Sequence, residues 1–166
     1  MRIAAISTAM WLLWAAEVTA QGEASRFPPG TSAILVDSAA SVLRQCTRQA
    51  PRGIVEFWQP TDSLVRALEG PLLALLGQVL PRARVGDHPT RALGPREYYR
   101  QYVGIIRHGR PLIYVNAFPK PDSLSESIAG KDYWRTIPVD VCDGGAFFFG
   151  VVYDVGTRTF ESIDFQ

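Results

Sequence analysis

The chain has 166 residues, 47% of them hydrophobic, which is enough for one domain with a substantial core. Its 17 basic and 16 acidic residues leave a formal net charge of +1. That balance removes the electrostatic case for nucleic acid or an anionic membrane surface as a partner.

The first segment has the three parts of a secretory signal peptide. Arg2 supplies the positive region, Ile3 to Ala16 the apolar region, and Val18-Thr19-Ala20 a small-residue exit. The expected organisation is a signal peptide over 1–20, a flexible leader over 21–30 rich in Gly and Pro, and a single domain over 31–166. The apolar stretch is shorter than the roughly 20 residues of a membrane span. No later segment has the length to cross a bilayer, so the expected product is exported, either periplasmic or secreted, with no stable membrane span.

Ile34, Leu35, Ala39, Val42, Leu43 and Cys46 recur at threes and fours, which predicts a helix over Ala33 to Arg48. Ile54 to Trp58 reads as a strand or an extended linker. A second helix starts at Pro60-Thr61-Asp62 and ends at Pro81. Its apolar stripe is Leu64, Leu68, Leu72, Leu75, Leu76 and Val79, with Arg66 and Glu69 turned outward. Pro71 lies within it. Residues 82–95 read as a loop.

At Tyr98 the period changes to two. Tyr98 to Arg107 and Arg110 to Phe118 are predicted strands joined by a tight turn at His108-Gly109. A turn of helix is expected near Ser125 to Ile128. Thr136 to Cys142, Ala146 to Asp154 and Thr159 to Phe165 complete the predicted strands. Helices first and strands after imply an α+β fold, with N-terminal helices packed on a four- to five-stranded antiparallel meander.

Chemistry-bearing constellations are sparse. Cys46 and Cys142 are the two cysteines, and in an exported chain their simplest state is a disulfide. Two buried thiols, or a nucleophilic Cys142 beside the Gly144 and Gly145 amides, are the competing readings. His88 and His108 are the two histidines, and no motif places either beside Cys142. No spacing of Cys, His, Asp or Glu matches a zinc or calcium site. No phosphate-binding loop or Gly-x-Ser-x-Gly elbow is present. No metal, cofactor or catalytic residue is therefore assigned. Glu97 with Asp132 or Glu161 is a carboxylate pair of a kind that any exported domain offers.

Aromatic residues and arginines interleave on the predicted strands. Tyr98, Arg100, Tyr102, Tyr114, Trp134 and Tyr153 form a possible binding surface, and ordinary core packing is the competing reading.

Four stretches carry a resemblance. They are Arg44 to Arg48; Glu56 to Pro60; Arg100 to Gly104 with Ile113 to Phe118; and Trp134-Arg135 with Val141-Cys142-Asp143-Gly144-Gly145 through Phe149 to Asp154. With them the chain resembles a group of uncharacterised exported bacterial proteins that carry a Cys-Asp-Gly-Gly strand-turn-strand signature. The resemblance implies an exported single domain and brings no activity to carry over. The layout also resembles, loosely, cystatin-like folds. The function expected is a non-enzymatic exported binding protein recognising a protein or cell-envelope component; an inhibitor or immunity-type role fits it but is not singled out. The alternatives are a small hydrolase using Cys142 or a carboxylate, and a structural envelope component.

Overall fold

The computed structural model describes residues 28–46, 48–80 and 93–165. The predicted signal peptide, most of the leader, and His88 lie outside these residues. Among the described residues the strands are β1 (Ser32–Ile34), β2 (Ile54–Trp58), β3 (Tyr98–Arg107), β4 (Arg110–Pro119), β5 (Phe149–Asp154) and β6 (Thr159–Phe165). The α-helices are α1 (Ala39–Val42), α2 (Asp62–Val79) and α3 (Ser123–Ala129).

The strands form one mixed sheet in the order β1-β3-β4-β5-β6, with β2 also paired to β3. One edge of β3 is shared. β1 runs parallel to it at Arg100 to Tyr102, and β2 runs antiparallel to it at Gly104 to Arg107. The β3–β4 hairpin closes through His108 and Gly109 at φ 52° and 74°. Both central residues are left-handed, as the twist of a two-residue hairpin requires.

This architecture corrects the expected fold. The sheet is mixed rather than an antiparallel meander alone, and no helices precede its strands, since β1 comes before α1 and the one long helix, α2, lies between β2 and β3; the cystatin-like layout is not formed. The predicted first helix shrinks to the four residues of α1. Its first two residues, Ala33 and Ile34, are captured instead in an edge strand. Arg100 donates its amide to Thr31 O at 2.9 Å, and Leu35 donates to Tyr102 O at 3.0 Å. Backbone pairing offered by β3 overrides a local helical pattern.

α2 lies between β2 and β3 in the chain. The Thr61 hydroxyl caps it, accepting from the Leu64 amide. Val65, Leu68, Leu72 and Leu76 bury against Tyr98, Tyr102, Ile113, Val115, Phe149 and Val151 on one face of the sheet. Pro71 is exposed, so the carbonyl it leaves unbonded faces water rather than the core. The other face is covered by Leu35, α1 and the irregular segment after α3. Val42 packs on Val103, Ile105 and Tyr114 there, and Trp134 packs on Phe118 and Tyr99.

The expected strand over Thr136 to Cys142 is absent. Its backbone groups are met by side chains of the sheet rather than by a ladder. Gln101 Nε2 donates to the carbonyls of Trp134 and Ile137. Gln101 Oε1 accepts the Val139 amide at 3.0 Å, and Asn116 Nδ2 donates to Val139 O at 2.8 Å. Asp143 and Gly145 adopt φ of 58° and 59°. The Cys-Asp-Gly-Gly stretch is therefore a turn that leads through a 3-10 turn at Gly145–Phe147 into β5, with no strand before it.

Candidate functional site

The registers of four strands align one row across the second face of the sheet. Gln101 pairs with Asn116, Asn116 with Gly150, and Gly150 with Asp164. The adjacent row runs Val103, Tyr114, Val152, Ser162. Gly150 therefore interrupts a polar row, and the gap it leaves is filled by the tip of Tyr114. A Cβ at Gly150 would lie 2.5 Å from the Tyr114 hydroxyl and 2.9 Å from ring carbons. Only a glycine lets that ring lie where it does.

The segment between α1 and β2 crosses above this row. It is fastened by a disulfide between Cys46 and Cys142, whose Cα atoms are 5.5 Å apart. The Cys46 amide also donates to Asp140 Oδ1 at 3.3 Å. Two residues further on, Arg48 turns into the protein and is 4% exposed. Its Nη2 donates to Asn116 Oδ1, and Asn116 Nδ2 donates on to Gln101 Oε1 at 2.9 Å.

The rest of the guanidinium faces Tyr114, its carbon 6.0 Å from the ring centroid. Arg48 Nε and Nη1 and the Tyr114 hydroxyl are buried and, among the described residues, make no hydrogen bond of good geometry. The two side chains interact with each other, electrostatically and through their polar atoms. Burial lowers the proton affinity of Arg48, opposed by Tyr114, Asp140 and Asp164. Burial also pushes the Tyr114 hydroxyl up, opposed by the Arg48 charge. Buried donors and charges without partners cost free energy wherever nothing compensates them.

A cleft of about 190 Å³ opens at this point. It is lined by Gln49, Arg52, Arg107, Tyr114, Gly150 and Asp164, with Ser162 beside them. Arg107 is held by Glu161, which also pairs with Arg110 at 2.7 Å.

The six residues of the expected aromatic surface fall elsewhere. Tyr98, Arg100, Tyr102, Tyr114, Trp134 and Tyr153 are all buried, so they form no exposed surface. The reason is that both faces of the sheet are covered, one by α2 and the other by α1 and the loop segments. Arg100 is wholly enclosed. It donates to Thr31 Oγ1 at 2.9 Å and to Glu69 Oε1 at 3.1 Å. Glu69 is thus turned inward, against the outward position its helical spacing predicted. Of the six, Tyr114 is the one that lines the cleft.

Neither catalytic alternative gains a constellation. Cys142 has no thiol, because its sulfur is bonded to Cys46. His108 is at the hairpin tip. Glu97 accepts the Gly94 amide at 2.6 Å, and Glu161 is held by two arginines.

Periodicity and spacing give Arg48, Gln101, Asn116, Gly150 and Asp164 no binding role, although the first four stand inside the stretches that carry the resemblance. The signal for two of them was present: Gln101 and Asn116 are polar residues in the middle of strands buried on both faces. Comparison with protein-family models, with curated proteins and with solved structures found no match. Among the described residues no helix is long and apolar enough to cross a membrane.

Proposed function

We propose that this chain is an exported, non-enzymatic binding protein that recognises a protein or cell-envelope component, and that the cleft over Gly150 is where it does so. The observation that carries this reading is the cleft itself, whose wall brings Gln49, Arg52, Arg107, Tyr114 and Asp164 together over the gap at Gly150. An open concave site with convergent polar side chains is a ready place for a partner's polar group. The disulfide accords with an oxidising compartment. The cleft is small beside the 300–1,000 Å³ typical of drug-sized ligands. It therefore suits a small molecule, or one end of a larger one.

A blocked cleft tests the reading. Ser162 is exposed on β6 and lines the cleft. Ser162→Trp fills the opening from a position that tolerates bulk. Immobilised protein is exposed to periplasmic and envelope extracts, and retained material is identified by mass spectrometry. A component held by the wild type and released by Ser162→Trp, at an unchanged melting temperature, is the expected result. Equal retention by both proteins would overturn the assignment to this cleft.

A further inference from the structure

We infer that the free edge of β1, with the wall of α2 beside it, takes an extended peptide segment of a partner protein. The segment adds to the sheet as a further strand and turns an acidic side chain toward Arg66. This is a second surface, on the face of the sheet that α2 covers, and it does not depend on the cleft over Gly150.

The backbone names the kind of partner. The Arg100 amide donates to Thr31 O and the Leu35 amide to Tyr102 O, so the odd-numbered residues of this stretch turn their backbone groups to β3. Strand alternation turns the N–H and C=O of Ser32 and Ile34 the other way. Among the described residues no strand pairs with β1 on that side. Donors and acceptors in this alternation are complementary to the main chain of another strand. The other edge strands carry features that discourage such a partner. β2 has a register shift beside Glu56, and β6 has Glu161, Asp164 and a register shift against β5. Ser32, Ala33 and Ile34 have no charge, no proline and an unbroken register.

The helix supplies the selectivity. A cleft of about 130 Å³ runs between the two elements, with Ser32 and Ile34 on one wall and Asp62, Val65, Arg66 and Glu69 on the other. Ser32 and Ile34 pair with Arg100 and Tyr102, so their side chains share the face that α2 covers. A strand added beyond β1 therefore sets every second side chain against the same helix. Val65 is buried and gives the cleft an apolar floor. Glu69 is committed to Arg100. Asp62 lies in the first turn of α2, where the helix dipole favours a carboxylate. Arg66 is exposed and, among the described residues, has neither an ion pair nor a hydrogen bond. It is left as the unmatched charge of the wall, and an acid on the peptide matches it.

The test is selection of displayed random nine-residue peptides on the full chain, followed by anisotropy titration with the most strongly selected peptide. The selected sequences are expected to lack proline at their centre and to carry an acidic residue there. Methylating the peptide amide nitrogens one at a time should weaken binding at alternate positions and spare those between, because only alternate residues of an added strand bond to β1. Ser32→Pro removes one outward N–H at a position where an edge strand tolerates proline. It should weaken the peptide by about 5-fold or more at an unchanged melting temperature. Arg66→Glu should weaken it by about 2- to 5-fold, and selection repeated on that variant should favour basic residues. Ser162→Trp should leave the peptide bound as before. Failure to select any peptide would overturn the inference, as would methylation effects without alternation or binding unmoved by Ser32→Pro. A peptide released by Ser162→Trp would place it in the cleft over Gly150, overturning this inference while upholding the reading of that cleft.

Discussion

Asp154 ends β5 with its carboxylate inside the protein, 2% exposed. Its Oδ1 accepts the Gly156 amide at 2.8 Å and the Thr157 amide at 3.0 Å, which folds the β5–β6 turn around it. Its Oδ2 accepts from Arg110 Nη1 at 2.7 Å. The Thr157 amide does most to hold this carboxyl below its ordinary range; the Gly156 amide and the Arg110 charge add to it, and burial opposes them. A folded-state value below the unfolded one, about 3.9, gives stability that is present above that pH. It is lost as pH falls through the folded value. Asp154→Asn should therefore lower the melting temperature at neutral pH. The gap to the wild type should narrow as the pH is lowered from about 4 towards 2. Melting curves across that range check it, and a gap that stays constant in acid would count against the carboxylate as its source.

Elements show which sequence signals were decisive. β3 to β6 and α2 were legible because each pairs an unbroken period with matching turn chemistry: His108-Gly109 at one hairpin, Gly156 at another, Thr61 at the helix start. β1 and the segment from Tyr133 to Cys142 were not. Their conformations are set by long-range partners, the β3 backbone and the side chains of Gln101 and Asn116, which no local pattern announces. The site was less legible than the fold for the same reason. It is a row across four strands, and its members are separated by 14 to 63 residues along the chain. Gly104 shows the same long-range dependence in the β2–β3 pair. A Cβ there would collide with the carbonyl and the indole of Trp58, both backbone and ring being close. Trp58 is itself fixed by its Nε1 donating to Ile105 O at 3.2 Å. Gly104→Ala should cost about 1–3 kcal/mol through displacement of β2. Gly77→Ala, on the exposed side of α2 with no atom near its Cβ, should instead gain about 0.5–1 kcal/mol from helix propensity. Urea midpoints of the two variants should move in opposite directions.

The whole molecule is held by one covalent link between distant parts of the chain. Cys46 and Cys142 are separated by 96 residues, and α2 together with β2, β3, β4 and α3 lies between them. Closing a loop of that size restricts the unfolded ensemble by about 4–5 kcal/mol in the chain-entropy account. The bridge has a second consequence, because it anchors the irregular segment that carries Arg48 over Asn116. Without it that segment keeps, among the described residues, the Cys46 amide bond to Asp140 and the Arg48 bond to Asn116. Cys46→Ala and Cys142→Ala should each lower stability by about 2–5 kcal/mol, and the double variant by little more than either alone, since both single changes remove the same bond. Ligand binding at the cleft should weaken in all three by a similar factor, whereas a role for Cys142 as a nucleophile would make its variant alone consequential. Thiol titration of the unfolded protein without reductant gives the direct reading. No free thiol is expected, and two would remove the bridge together with the anchoring role argued for it.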